Sequence, residues 1–158
     1  MDAYTLEMCK ELTEAHGAPG QEGEIAAWFA DRVKGHGSLS ADRLGSVICR
    51  KEGSGQARVM LAGHMDEIAF MVRMVDDNGF LKFSPMGGWW DQVLLSQHVL
   101  VHTRKGRWPG IIGSKPPHLL KNDEASKVVK KDEIYIDIGA ASREEGEKKL
   151  GGRVGDVA

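Results

Sequence analysis

Three side chains that can bind a metal or move a proton, His64, Asp66 and Glu67, follow a short apolar run over residues 59–62. The run is typical of a buried strand, and if the extended backbone continues, His64 and Asp66 point to the same face. A neutral imidazole is a common zinc ligand, and a carboxylate beside it can fix its tautomer or ligate the metal itself. Open α/β sheets bind ligands at such strand ends. A motif this short also fits a solvated strand end without any chemistry.

Two other stretches carry candidate contact residues. A glycine pair precedes Trp89 and Trp90, and tryptophan is favoured at interfaces although it is equally good core material. Pro116 and Pro117 fix an extended backbone and hold His118 in a defined place. We therefore expect these five residues to lie near a site or a subunit contact. A buried tryptophan pair and a rigid covering loop are the alternatives.

A histidine pair, His98 and His102, lies in an alternating segment rich in β-branched residues, so on a strand both share one face. No glutamate follows His98, and the segment is therefore not the H-E-x-x-H signature of metalloproteases. We expect a solvent-facing strand edge here.

Two helices and two strands are predicted in the first part of the chain. Apolar spacing indicates helices over residues 3–16 and 21–35, each ended by glycines. Residues 42–46 predict a turn into a strand over 47–50, and the apolar run over 59–62 follows. Two helices and then two strands, joined by short links, are the beginning of an α/β layer.

The pattern changes after Glu67 to short alternating strands separated by glycine-containing turns, which argues for a small barrel or sandwich. A capping box at Ser142 and Glu145 begins a helix that runs to about Leu150. We therefore predict an α/β part over residues 1–69 and a β-rich module over residues 70–158. Strands are expected near residues 68–73, 80–83, 93–95, 99–102, 110–113 and 134–137, with a hairpin turn over 76–79.

Composition and charge exclude several partners. The 158 residues carry a net charge of −2, which gives no electrostatic case for nucleic acid or an anionic membrane. No apolar run approaches the roughly 20 residues that span a bilayer, and no signal peptide is apparent at the start. Cys9 and Cys49 are expected to be buried, reduced thiols, which favours a cytoplasmic protein. The lysine-rich segment over 121–131 is expected to be solvated.

Several blocks together resemble one peptidase family. They include His-Met-Asp-Glu-Ile at 64–68 and Lys-Pro-Pro-His-Leu at 115–119, with Gly-Asp at 155–156. From about residue 5 to the C-terminus, their order resembles the glutamyl and deblocking aminopeptidases of metallopeptidase family 42, which includes the tetrahedral aminopeptidases. The resemblance implies an α/β fold, the start of a two-metal aminopeptidase domain. It also implies an inserted small β-barrel, PDZ-like, that assembles homo-oligomers (a dimer, or a dodecamer of dimers).

The resemblance also implies metal chemistry on a peptide substrate. In the family, two divalent ions, zinc or cobalt, activate a water that attacks the first peptide bond. His64 matches the family's first metal ligand, and Asp66 matches the catalytic carboxylate that orients it. The family's other ligands lie beyond the Gly-Asp pair that residues 155–156 match. We therefore expect an N-terminal portion that lacks the return to the peptidase domain and is inactive alone, with at most weak metal binding at His64.

Two other functions fit parts of the sequence. A non-catalytic self-association module would use the β-rich half, with Trp89, Trp90 and the Pro116-Pro117 loop as contacts. A carbohydrate hydrolase would need two carboxylates that flank a sugar. Asp66 and Glu67 are adjacent, so on a strand they would point to opposite faces, which is poor geometry for such a pair.

Overall fold

The computed structural model describes residues 1–121, 126–151 and 154–158. The chain divides into two compact units, Met1–Glu67 and Ile68–Ala158. The assignment of residues 1–69 to a peptidase domain and of residues 70–158 to an inserted barrel stays a prediction. Among the described residues, no helix combines the length and the apolar character needed to cross a membrane.

The first unit begins with the two predicted helices, both shorter than expected. Helix α1 spans Ala3–Glu14, and the carboxylate of Asp2 caps it by accepting from the Thr5 N–H at 2.8 Å. Helix α2 spans Gly23–Val33 and buries Ile25.

One carboxylate joins the two helices. Glu11 of α1 accepts a hydrogen bond at 2.8 Å from the Trp28 indole N–H of α2 and pairs with the Arg32 guanidinium. That guanidinium also stacks over the Trp28 ring, 5.0 Å from its centroid. A polar cluster therefore holds the pair of helices together.

A two-stranded antiparallel sheet follows the helices. Strand β1 spans Ser38–Ala41, which the sequence did not indicate, and β2 spans Val47–Arg50, as predicted. The predicted turn between them is confirmed, because the Asp42 carboxylate accepts from the backbone N–H groups of Leu44 and Ser46 at 2.8 and 2.9 Å.

The prediction of a buried strand over residues 59–62 is wrong. The structure assigns this run no strand, and Leu61 exposes 94% of its surface. A strand needs a hydrogen-bonded neighbour and a face to cover it. Among the described residues, β1 and β2 pair only with each other, so an apolar sequence alone does not order the run.

The second unit is a curled, five-stranded antiparallel sheet with the order β3-β4-β7-β6-β5. Its strands are β3 (Ala69–Val75), β4 (Leu81–Met86), β5 (His98–Thr103), β6 (Gly106–Gly113) and β7 (Tyr135–Asp137). Alternation along these strands supplies the buried face, which includes Val72, Leu81, Val101, Ile112 and Ile136. The predicted hairpin turn is confirmed by a 3.0 Å bond from the Gly79 N–H to the Asp76 carbonyl.

The final residues connect the two outer strands of the sheet. The backbone of Ala158 exchanges two hydrogen bonds with Phe70 of β3, at 2.7 and 2.8 Å. The carbonyl of Val157 accepts from the His102 N–H of β5 at 2.7 Å, and Val157 is buried. Residues 155–158 therefore satisfy backbone groups on both edges of the sheet.

A third helix, α3, spans Arg143–Leu150 and begins at the predicted cap. The Ser142 hydroxyl accepts from the Glu145 N–H at 3.3 Å, and Gly151 ends the helix at a φ of 84°. The Glu145 carboxylate reaches one residue further back than the predicted capping box, and it accepts from the Ala141 N–H at 2.9 Å. Leu150 anchors the helix in the core.

Three other sequence predictions need comment. The burial predicted for Cys9 is wrong, because this residue is exposed on α1. The strand expected over residues 93–95 is wrong, since Asp91–Val93 forms a short 3-10 helix and the Leu94 N–H donates to the Asp91 carbonyl. Leu94 is nevertheless buried, so this apolar residue marks a position in the core and not a strand. Part of the lysine-rich segment, residues 122–125, lies outside the described residues.

Candidate functional site

His64 and Asp66 lie together in the extended loop that ends the first unit. The Nδ1 atom of His64 is 3.1 Å from the Asp66 Oδ1 and 2.9 Å from the Asp66 carbonyl oxygen. Because both neighbours are acceptors, they favour the tautomer with the proton on Nδ1 and the lone pair on Nε2. The His64 side chain is 84% exposed, so the ring is open to a ligand.

The next residue fixes this loop to the rest of the unit. The Glu67 N–H donates to the Gly17 carbonyl at 2.8 Å, and the Gly17 N–H donates to the Glu67 carboxylate at 3.1 Å. Gly17 follows α1, fifty positions earlier in the sequence. The sequence does not predict this contact, because no spacing rule links residues so far apart.

The same contact bears on the paired-carboxylate alternative. The Asp66 carboxylate faces the His64 ring, whereas the Glu67 carboxylate is engaged by the Gly17 backbone. Two carboxylates that serve different local partners do not flank a common sugar site.

The two candidate tryptophans occupy different environments. Trp89 stacks on Phe70 with ring centroids 4.5 Å apart, and its indole N–H donates to the Ala69 carbonyl at 3.2 Å. Trp89 therefore packs against the core of the sheet. Trp90 is 66% exposed.

The proline loop forms a turn on the second unit. Pro116 precedes a 3-10 helix over Pro117–Leu119, which contains His118. The Tyr135 hydroxyl donates to the Ser114 carbonyl at 3.2 Å and holds the beginning of this loop, while Leu119 is 58% exposed. The loop is thus held by a hydrogen bond at its first residues and exposes an apolar side chain to solvent.

The histidine pair lies on β5, the last strand in the sheet order. His98 is exposed, and the backbone of His102 is bonded to Val157. Within the part of the chain that the structure describes, no three His, Cys, Asp or Glu side chains come together in a way that could hold a metal. The pair is therefore no complete metal centre.

A comparison with known families decides the resemblance. Residues 45–158 match the family described as M42 glutamyl aminopeptidase, and residues 4–25 match a model described as AMPT. The chain belongs to the M42 glutamyl aminopeptidase family. The resemblance drawn from the His-Met-Asp-Glu-Ile and Lys-Pro-Pro-His-Leu blocks is thus confirmed.

Relatives of this M42 chain include aminopeptidases of known structure. A TET aminopeptidase from a marine-sediment Thaumarchaeota archaeon is 42% identical, with a TM-score of 0.92, over 98% of this chain and 44% of its own. The lysyl aminopeptidase of Pyrococcus furiosus is 37% identical over 96% of this chain and 44% of its own. The TET1 peptidase of Pyrococcus horikoshii, which can assemble into a tetrahedron or a large octahedral shell, is 33% identical, with a TM-score of 0.84, over 97% of this chain and 46% of its own. The M42 chain spans less than half the length of these relatives.

The donor set of this M42 chain fits one ligand of a metal centre. A catalytic zinc usually takes three protein ligands, and its histidine ligand usually donates its second ring N–H to a carboxylate or carbonyl. His64 with Asp66 meets the second condition. The described residues supply no three-residue cluster around it, so they do not meet the first.

Proposed function

We propose that this chain is the N-terminal portion of a metal-dependent aminopeptidase that removes N-terminal residues from peptides. The observation that carries the proposal is the His64–Asp66 pair, in which the Nδ1 atom lies 3.1 Å from the Asp66 carboxylate and Nε2 is left for a ligand. Membership of the M42 family supports the reaction class.

In the proposed site, each residue has one task. His64 ligates a divalent ion through Nε2, and Asp66 holds the ring in the tautomer and orientation that ligation needs. Two zinc or cobalt ions, when bound, supply Lewis acidity toward water and the peptide carbonyl. Because the described residues contribute His64 alone, we propose that the other ligands come from outside them and that this chain is inactive by itself.

Metal titration of the purified chain tests the ligand assignment. We expect calorimetry to show weak Co²⁺ binding to the unmodified chain and no binding to the His64→Ala variant. His36→Ala is the matched control, because His36 is another exposed histidine of the same unit. Binding that survives His64→Ala, or that His36→Ala removes equally, would refute the assignment.

Hydrolysis assays test the proposed inactivity. We expect no metal-dependent release of amino acid from leucyl or glutamyl anilides by this chain. Hydrolysis that His64→Ala eliminates would show that the chain carries a complete site, and the proposed incompleteness would then be wrong.

We also propose that the chain assembles into homo-oligomers, with the second unit as a PDZ-like barrel that makes the contacts. The assembly of the TET1 relative and the exposed Trp90 and Leu119 side chains support this. The self-association module without catalysis would use the same surfaces. Light scattering of the Trp90→Ala variant tests the contact, and an oligomer of unchanged size would show that Trp90 does not contribute to the interface.

We propose a cytoplasmic location for the chain, which the two free cysteines, Cys9 and Cys49, support.

A further inference from the structure

We propose that Gly17 and Glu67 are positioning residues for His64 and Asp66, and that their mutual contact holds the metal-ligand loop against the first two helices. This inference rests on the proposed function, because it assigns a purpose to the placement of His64. Both residues lie outside the His64–Asp66 pair to which the proposed function assigns metal binding and ring orientation.

Hydrogen bonds in both directions make the contact specific. The Glu67 N–H donates to the Gly17 carbonyl at 2.8 Å, and the Gly17 N–H donates to the Glu67 carboxylate at 3.1 Å. A hydrogen bond to a charged acceptor is stronger than one between neutral groups. Since Glu67 directly follows Asp66, this ring of two bonds fixes the backbone one residue from the orienting carboxylate.

Close packing at Gly17 adds a second constraint. A Cβ atom at this position would lie 2.8 Å from the Met65 carbonyl oxygen and 3.1 Å from the Ile25 side chain. The first distance is shorter than real Cβ contacts, and its partner is backbone that cannot rotate away. Met65 lies between His64 and Asp66, so the loop after α1 contacts the ligand segment at Met65 and at Glu67.

The surroundings explain why this contact matters. Val59, Met60 and Leu61 are exposed, and the structure assigns no strand to the run that leads into His64. The His64–Asp66 hydrogen bond joins residues two positions apart, so it orients the ring within its own loop. The Gly17–Glu67 contact spans fifty positions and attaches that loop to the connection between α1 and α2.

Nuclear magnetic resonance of the whole 158-residue chain tests the proposal. The ¹⁵N shifts of the His64 ring at about pH 8, where imidazole side chains are ordinarily neutral, report which nitrogen carries the proton. We expect the Nδ1–H form in the unmodified chain and a mixture of both tautomers in Glu67→Ala. We also expect the amides of Gly17 and Glu67 to exchange with solvent about tenfold faster in that variant, since it loses a hydrogen bond to a charged acceptor.

Three further variants make the test specific. Glu67→Gln keeps an acceptor oxygen and should restore the Nδ1–H form, whereas Gly17→Ala should resemble Glu67→Ala because its methyl displaces the Met65 backbone. Glu22→Ala is the matched control. The Glu22 carboxylate accepts from the Gly20 N–H at 2.7 Å in the same loop, so its removal perturbs that loop without breaking the Gly17–Glu67 contact.

The outcomes separate positioning from mere folding. An unchanged His64 tautomer in Glu67→Ala, or an equal change in Glu22→Ala, would overturn the proposal. Loss of rescue in Glu67→Gln would overturn it as well. If Co²⁺ does not bind His64 in the unmodified chain while the tautomer still responds to Glu67→Ala, the ligand assignment fails and the positioning contact stands.

Discussion

Replacing Gly146 with alanine has two opposing effects on stability: it raises the helix propensity of α3 and it introduces a steric clash in the core. Gly146 lies within α3, and alanine in a helix interior is favoured over glycine by about 1 kcal/mol. Here, however, a Cβ atom would lie 2.6 Å from the Val75 Cγ1 atom, far inside the roughly 3.5–4.0 Å of optimal carbon contacts. Overpacking of this kind costs about 1–3 kcal/mol, and so short a contact belongs at the upper end. We expect Gly146→Ala to lower the free energy of unfolding by about 1–2 kcal/mol net.

A double-mutant cycle with Val75 isolates the packing contribution. Val75→Ala alone leaves a cavity in the core and should cost about 2 kcal/mol, because Val75 is 4% exposed. In the double variant, the new methyl group occupies part of that cavity and the clash disappears. We therefore expect the double variant to be at least about 2 kcal/mol more stable than the sum of the single effects predicts.

Urea unfolding followed by tryptophan fluorescence measures these differences. A Trp28→Phe background leaves Trp89, Trp90 and Trp108 as reporters, all within the second unit. Gly88→Ala is the control within the same unit, because nothing lies within 4 Å of its added Cβ, and it should be neutral or stabilising. A stabilising Gly146→Ala, or strictly additive effects in the cycle, would refute the packing argument.

Three further predictions follow from contacts in the second unit. Trp89→Ala should destabilise this unit by about 3 kcal/mol in urea unfolding, the lower end of the range for core aromatics because Trp89 is half-buried, whereas Trp90→Ala should leave its stability within about 0.5 kcal/mol. Val157→Asp should separate the last residues from the sheet, which would appear as loss of hydrogen-exchange protection at Phe70; retained protection would contradict this. The backbone N–H of Ala141 lowers the pKa of Glu145 from its ordinary value near 4.5. The ionised Glu145 carboxylate therefore stabilises the folded state above that pH, and this contribution is lost as the pH falls through the lower pKa of the folded state. In urea unfolding at a series of pH values, Glu145→Gln should reduce the loss of unfolding free energy on acidification.

Local patterns predicted the β3-β4 and β5-β6 hairpins of the second unit well, because in each of them the partner strand is close in sequence. The hairpin turn at Gly79 and the helix that Ser142 caps follow from residue types at fixed spacings, and both are present. The wrong strand at Leu94 has a simple cause, since an isolated buried leucine and a short strand look alike when only hydrophobicity is considered.

The first unit shows where sequence patterns fail. The apolar run at Val59 was expected to be a strand, yet a strand also depends on partners that the run does not carry in its own sequence. The pairing of His64 with Asp66 could be anticipated from a spacing of two. The Gly17–Glu67 contact could not, because it depends on how the loop after α1 meets a segment fifty positions away.

The closing of the sheet by residues 155–158 has a consequence for synthesis of the protein. The strand that contains Phe70 acquires its second neighbour only when Ala158 has been made, roughly 90 residues later. At translation rates of about 5–20 residues per second, the outer edge of β3 stays unpaired for roughly 5–20 seconds during synthesis. During this interval the outer edge of β3 has unpaired backbone groups, and a nascent chain on a neighbouring ribosome can form hydrogen bonds with them. Slower elongation through the lysine-rich segment would prolong that exposure, so the yield of correctly folded protein should respond to codon choice there.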